Sequence, residues 1–333
     1  DAYGIQDPQT LDWIVQVSEG KPLIAHLLAD QIVSDGPSGH DPVAAEDSVL
    51  EQVFDDVVRD IRRAAEQQGV GDPQKLESYF RYVAAVGTLD TGDDAFMDAF
   101  REALSLEPDE ERRYREILLN VIGTVSQRSE SLTVQPDALQ EYVVYDTFFG
   151  DGARNYMDTV YEVFGEFTEK EQVNNLLVIE NRYDCREAGA VIDTIVSGYT
   201  GQMDEYPIPE RVRLLRRLEL LGVASPERGV ELVEVALTTA PPDGEAESEG
   251  LRRRIVKAPS NLGQLYLAAI SLLSPGLLKE PERITDVLLE IALVEGVSPN
   301  VAETVFQRLN QELRPGYSRH PGAQQQIVER LEG

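Results

Sequence analysis

Residues 108–144, "PDEERRYREILLNVIGTVSQRSESLTVQPDALQEYVV", decide how this chain is read. Pro108 fits the first position of a helix, where a missing N–H leaves nothing unpaired. Asp109, Glu110 and Glu111 then sit at the positive end of the helix dipole. The helix gives way to "TVSQRSESLTV" (124–134), whose apolar positions lie on both sides of a polar Arg-Ser-Glu-Ser turn. That pattern predicts a strand pair. Upstream, Asp72-Pro73 opens a helix through "LESYFRYVAAVG" (76–87), and "DDAFMDAFREAL" (93–104) supplies a second. Three short helices followed by a hairpin is the order of a winged-helix module. Downstream a further helix begins, with Pro136 near its start and Asp137 in its first turn.

Helical periodicity also fills the rest of the sequence. An amphipathic segment runs from about Glu46 to Gln68 and is closed by Gly69 and Gly71. Before it lie a Gly/Pro/Ser loop, "SDGPSGHDP" (34–42), and a helix, "SEGKPLIAHLLADQIV" (18–33). Pro22 there takes the first helical position, and Leu23, Ile24, Leu27, Leu28, Ile32 and Val33 recur at helical spacing. From Asn155 onward the chain reads as amphipathic helix pairs, among them "PERVRLLRRLELLG" (209–222) and "PERGVELVEVALTTA" (226–240). Their spacing is irregular, so no repeat of fixed period is present. Faces this amphipathic are buried by stacking on neighbours, which predicts an irregular α-solenoid of the HEAT/TPR kind. The expected organisation is mainly α: a helical segment over 1–71, a winged-helix-like domain over 72–150 and an α-solenoid over 151–333. The acidic loop "PPDGEAESEG" (241–250) is the clearest internal break.

Composition narrows the function classes. Sixty acidic residues stand against 30 basic ones, a formal net charge of -30, and only five of the basic residues are lysines. An excess of Asp and Glu with Arg over Lys suggests a halophilic, salt-adapted source. In such a medium the Debye length falls to about 3 Å and surface charge serves mainly hydration. The same charge argues against sequence-independent binding to nucleic acid or anionic lipid, which require Lys/Arg clusters. Cys185 is the single cysteine, so no intrachain disulfide forms. No apolar run approaches the ~20 residues of a membrane span. A cytoplasmic location is expected, and a chain opening at Asp1 reads as part of a longer product.

Candidate chemistry is sparse. His26, His40 and His320 fall in no ligand spacing with Cys185. No Gly-rich phosphate loop, H-E-x-x-H or G-x-S-x-G occurs. The carboxylate pairs Asp55-Asp56 and Asp93-Asp94 read as solvated faces or caps, and Arg252–Arg254 as a local ion-pairing run after the acidic loop. A DNA-reading winged helix carries Arg and Lys on its third helix and wing. Here Arg112, Arg113 and Arg115 are surrounded by Asp109, Glu110, Glu111 and Glu116, and the wing offers only Arg128.

Taken in order, these pieces resemble the C-terminal half of a STAND-class P-loop NTPase, the signal-transducing ATPases that include prokaryotic antiviral sensors. "SEGKPLIAHLLADQIV" is similar to the family's Gly-x-Pro-Leu helix. The resemblance implies that 1–71 is the lid, that Pro22 packs by the adenine of bound ATP or ADP, and that Gly20 allows its close approach. "TVQPDALQEYVV" resembles the family's Met-His-Asp stretch, with Gln135, Pro136 and Asp137 in its three positions. Pro136 cannot donate the hydrogen bond that the family's His gives the β-phosphate. Large antiviral relatives share instead a Pro-Asp-x-Leu-x-Glu-Tyr pattern, here Pro136, Asp137, Leu139, Glu141 and Tyr142. "ITDVLLEIALVEGVSPNVAETVFQRL" (284–309) is similar to their helical sensor region. The resemblance implies a protein ligand on the solenoid, homo-oligomerisation on activation, and ATP/ADP with Mg in the longer protein. No Walker A or Walker B is in this sequence, so the chain alone is expected to be no enzyme and to hold no cofactor or metal. The alternative expectation is an α-solenoid protein–protein scaffold with no nucleotide link.

Overall fold

The computed structural model describes residues 11, 14, 15, 25, 29, 42–121, 124–150, 155–240, 261–294, 297–312 and 321–332. Among them the protein is mainly α, with fourteen α-helices and one small three-stranded sheet. It divides into two compact units, Asp1–Asn175 and Leu176–Gly333.

In the first unit α1 (Pro42–Gln67) precedes α2 (Pro73–Val86), β1 (Leu89–Asp90), α3 (Asp94–Leu104), α4 (Pro108–Val121), β2 (Val125–Arg128), β3 (Ser131–Val134) and α5 (Asp137–Phe148). Local chemistry sets these bounds. The Asp72 carboxylate accepts from the Gln74 amide at 2.9 Å, and Pro73 follows it in the first turn of α2. Gly87 ends α2 at φ +80°, with Glu171 packed where a Cβ would sit. Asp93 caps α3 by accepting from the amides of Ala95 and Phe96.

The sheet is antiparallel in the order β1-β3-β2, with Leu89 opposite Leu132 and Val125 opposite Val134. Helix–strand–helix–helix–strand–strand with that order is winged-helix topology. The hairpin falls where the sequence predicts it. Strand β1 does not announce itself, because two residues cannot display a period of two.

The core of this unit is aromatic. Phe164 meets Phe96, Phe100 and Tyr82 at ring separations of 6.1, 5.8 and 6.2 Å, and Phe167 stacks on Phe96 at 4.9 Å. Residues 155–175, assigned from sequence to the solenoid, therefore share a core with the winged helix. They comprise the π-helical turn Met157–Tyr161 and the first part of α6 (Glu162–Tyr183), which is kinked at Thr168.

The second unit contains α7 (Arg186–Gly201), α8 (Ile208–Arg217), α9 (Leu221–Ala224), α10 (Pro226–Thr238), α11 (Asn261–Leu273), α12 (Pro281–Leu293), α13 (Pro299–Glu312) and α14 (Pro321–Glu332). α7 packs on α10, α8 and α10 on α11, and α12 on both α13 and α14. Glycine allows the closest of these approaches. A Cβ on Gly222 would lie 1.6 Å from the Leu272 carbonyl oxygen, and one on Gly276 2.4 Å from that of Gly222.

Candidate functional site

Of the three residues singled out for nucleotide contact, Gly20 and Pro22 lie outside the described residues. Asp137 is exposed in the first turn of α5, and Pro136 before it, itself joined to Gln135 by a cis peptide bond, is buried. Leu139 and Gln140 donate their amides to the Pro136 carbonyl, so α5 starts on backbone bonds and leaves the Asp137 carboxylate to solvent.

Near that helix, α1, α2 and α5 enclose a groove of about 480 Å³. Asp137 is not on its wall; the groove is lined further along α5, by Tyr142 and Asp146. Its arginines are committed to carboxylates. Arg62 pairs with Glu77 at 3.0 Å, and Arg81 bridges Glu77 at 2.9 Å and Asp146 at 3.1 Å while donating to the Thr147 hydroxyl at 2.7 Å. The Arg81 guanidinium also covers the Phe54 ring at 4.8 Å. A phosphate entering here would have to displace those carboxylates, so the groove is built as a lock between three helices. Burial, reinforced by Glu51, Asp146, Asp55 and Asp47, pushes the Tyr142 phenol up to about 12. The hydroxyl stays protonated at neutral pH and cannot serve as a base there.

The third helix of the winged-helix module turns its arginines inward or onto itself. Arg113 donates to the Gln68 carbonyl just past the end of α1, and α4 packs against α1. Arg115 faces Glu111 at 3.6 Å and Arg112 faces Asp109 at 3.6 Å, both within α4. Glu111 is buried and accepts from Tyr79 Oη at 2.8 Å. Burial and that carboxylate hold the Tyr79 phenol well above its usual range. The guanidinium groups a DNA-reading helix would point at phosphates are thus used within the first unit.

In the second unit one arginine is used differently. Arg211 is buried, and its guanidinium donates to five main-chain carbonyls, those of Met203, Tyr206, Ala236, Thr239 and Ala240, at 2.7–3.1 Å. It closes the C-terminal end of α10, whose last carbonyls have no helical partner. Arg228 bridges Glu180 and Asp193, both at 2.6 Å, tying α6 and α7 to α10. Two residues beyond Arg211, the outward side of α8 shows Arg213, Arg216 and Arg217. The sequence reading treats this helix simply as one with a charged outer face. The spacing of those arginines, followed one turn on by Leu220, was the signal available for a more specific reading.

Among the described residues no group of three or more His, Cys, Asp or Glu side chains is arranged to hold a metal. No described helix is long and apolar enough to cross a membrane. Cys185 is buried at the start of α7, and burial raises its thiol.

These features define a mainly helical protein of two compact units, the first containing a three-stranded sheet in winged-helix order and the second, among the described residues, made of helices. No protein-family model, curated protein or solved structure matches the chain.

Proposed function

We propose that this chain is the regulatory and ligand-sensing part of a cytoplasmic STAND-class NTPase from a salt-adapted microbe, with a place in antiviral defence. In this reading the lid and winged helix clamp ATP or ADP with Mg that an upstream core binds, through Gly20, Pro22 and Asp137. The helices of the second unit stack as a solenoid and recognise a protein ligand. Ligand binding then releases the clamp and permits homo-oligomerisation. The chain itself contains no Walker motif and is not the catalyst.

The observation that carries the reading is the internal use of the winged helix. Its third helix spends Arg113 on the end of α1 and Arg115 on a buried carboxylate, as suits a module that packs on protein and not on DNA. The test is to read the source gene upstream of Asp1. A Walker A loop and Walker B strand within roughly 150 residues supports the clamp. A gene that encodes neither leaves the second reading, an α-solenoid scaffold, which is favoured by the outward arginines of α8 and needs no nucleotide.

A further inference from the structure

We propose that the outward face of α8 and α9 is a docking surface for an acidic, apolar-anchored helical segment of a partner protein. Arg213, Arg216 and Arg217 lie on α8, Leu220 in the turn that follows it and Val223 in α9, so along the chain the cations lead directly into the two apolar residues. All three arginines are exposed. Arg213 and Arg216 make no ion pair or hydrogen bond among the described residues. Leu220 and Val223 are 37% and 43% exposed, large apolar groups left in water at the end of a cationic row. Lys279 extends the positive charge, because its ammonium donates to the Val223 carbonyl at 2.6 Å and is held beside that residue.

A structural role explains only part of this. Cations in the last turn of a helix are favoured by its dipole, which accounts for Arg216 and Arg217. It does not account for Arg213, a turn earlier, nor for the two exposed apolar residues. Most other described arginines of this chain are matched to carboxylates or carbonyls, as Arg62, Arg81, Arg211, Arg228 and Arg283 show. In a protein of net charge -30, Arg213 and Arg216, two such cations three residues apart on one helix, stand out.

Charge complementarity identifies the occupant. Carboxylates at helical spacing would pair with the arginines, and a Leu or Phe one turn further would cover Leu220 and Val223. A nucleic acid could meet the arginines but not the apolar end, and the protein's net charge would repel a polyanion. The proposal specifies the partner side of the sensing role above, on which it rests. Peptide binding to this chain needs no nucleotide, so a failed peptide test and a failed nucleotide test are told apart.

The experiment is fluorescence anisotropy with the intact chain and three probes of equal charge. These are a labelled amphipathic peptide of Glu, Leu and Ala, polyglutamate, and a single-stranded oligodeoxynucleotide. The amphipathic peptide is expected to bind tightest. R213E/R216E is expected to weaken it by ~10-fold or more, and Leu220→Ser by roughly 5-fold. Arg308→Glu, on α13, is expected to leave binding unchanged, and all variants to melt as the parent does. Equal binding of the three probes, or no effect of R213E/R216E, overturns the proposal. So does binding that appears only after Glu245, Glu247 and Glu249 are changed to Gln, since the chain's own acidic segment would then be the occupant.

Discussion

The two units pair arginines with carboxylates alike but differ in charge balance and in the arginines that remain. Residues 1–175 contain 36 acidic and 13 basic residues; residues 176–333 contain 24 and 17. In the first unit, where cations are scarce, Arg62, Arg81 and Arg115 are spent on carboxylates between or within helices. In the second, Arg211 satisfies backbone carbonyls and Arg213 and Arg216 face outward. Their cohesion differs too. An aromatic cluster around Phe164 fills the first unit, whereas glycine contacts at Gly222, Gly229 and Gly276 bring helices of the second together. Carboxylate-rich surface around a tight core suits a module that holds itself closed. Closely packed helices with two spare cations suit one that meets a partner.

The comparison breaks most readily at the residues that carry it. Arg211→Ala strands five carbonyls in a buried site, and a loss of about 4 kcal/mol is expected. Phe164→Ala opens a cavity among three rings and should cost a similar amount, about 4 kcal/mol. Followed by hydrogen exchange, the first change should expose amides of the second unit and the second change those of the first. Uniform loss of protection in both would deny that the units are separately cohesive.

Gly222→Ala forces a methyl into the Leu272 carbonyl and should cost about 3 kcal/mol, read as a lower denaturant midpoint. Tyr79→Phe removes the hydroxyl that satisfies buried Glu111 and should cost about 1–2 kcal/mol in the first unit. The smallest effect is a pH dependence. Folded Tyr142 is pushed up to about 12 while an unfolded tyrosine titrates near 10.0, so between those values the folded state binds more protons. Stability from this group is whole below pH ~10 and is lost as pH rises toward ~12. Tyr142→Phe should flatten that part of the stability profile; an unchanged slope would show that Tyr142 is not responsible.

The sequence displayed the helices and the hairpin because periodicity, proline and capping carboxylates are local signals. Asp72, Pro73 and Asp93 mark helix starts where the structure has them. Strand β1 was not legible, since Leu89 and Asp90 acquire strand character only by pairing with Leu132 and Ser131, about forty residues on. Nor was the role of Arg211 readable. It sits among three further arginines of one helix, and only tertiary packing buries it. Asp137 is exposed and off the wall of the groove, and the proposal for Gly20 and Pro22 rests on resemblance alone.

The clamp is tested most directly by the ADP affinity of the protein with its upstream region, measured by calorimetry for the parent and for Pro22→Ala. Tight ADP binding by the parent, weakened roughly 10-fold in the variant through lost packing on the base, is the predicted result. A parent protein without ADP affinity, or a variant that binds as the parent does, would contradict it.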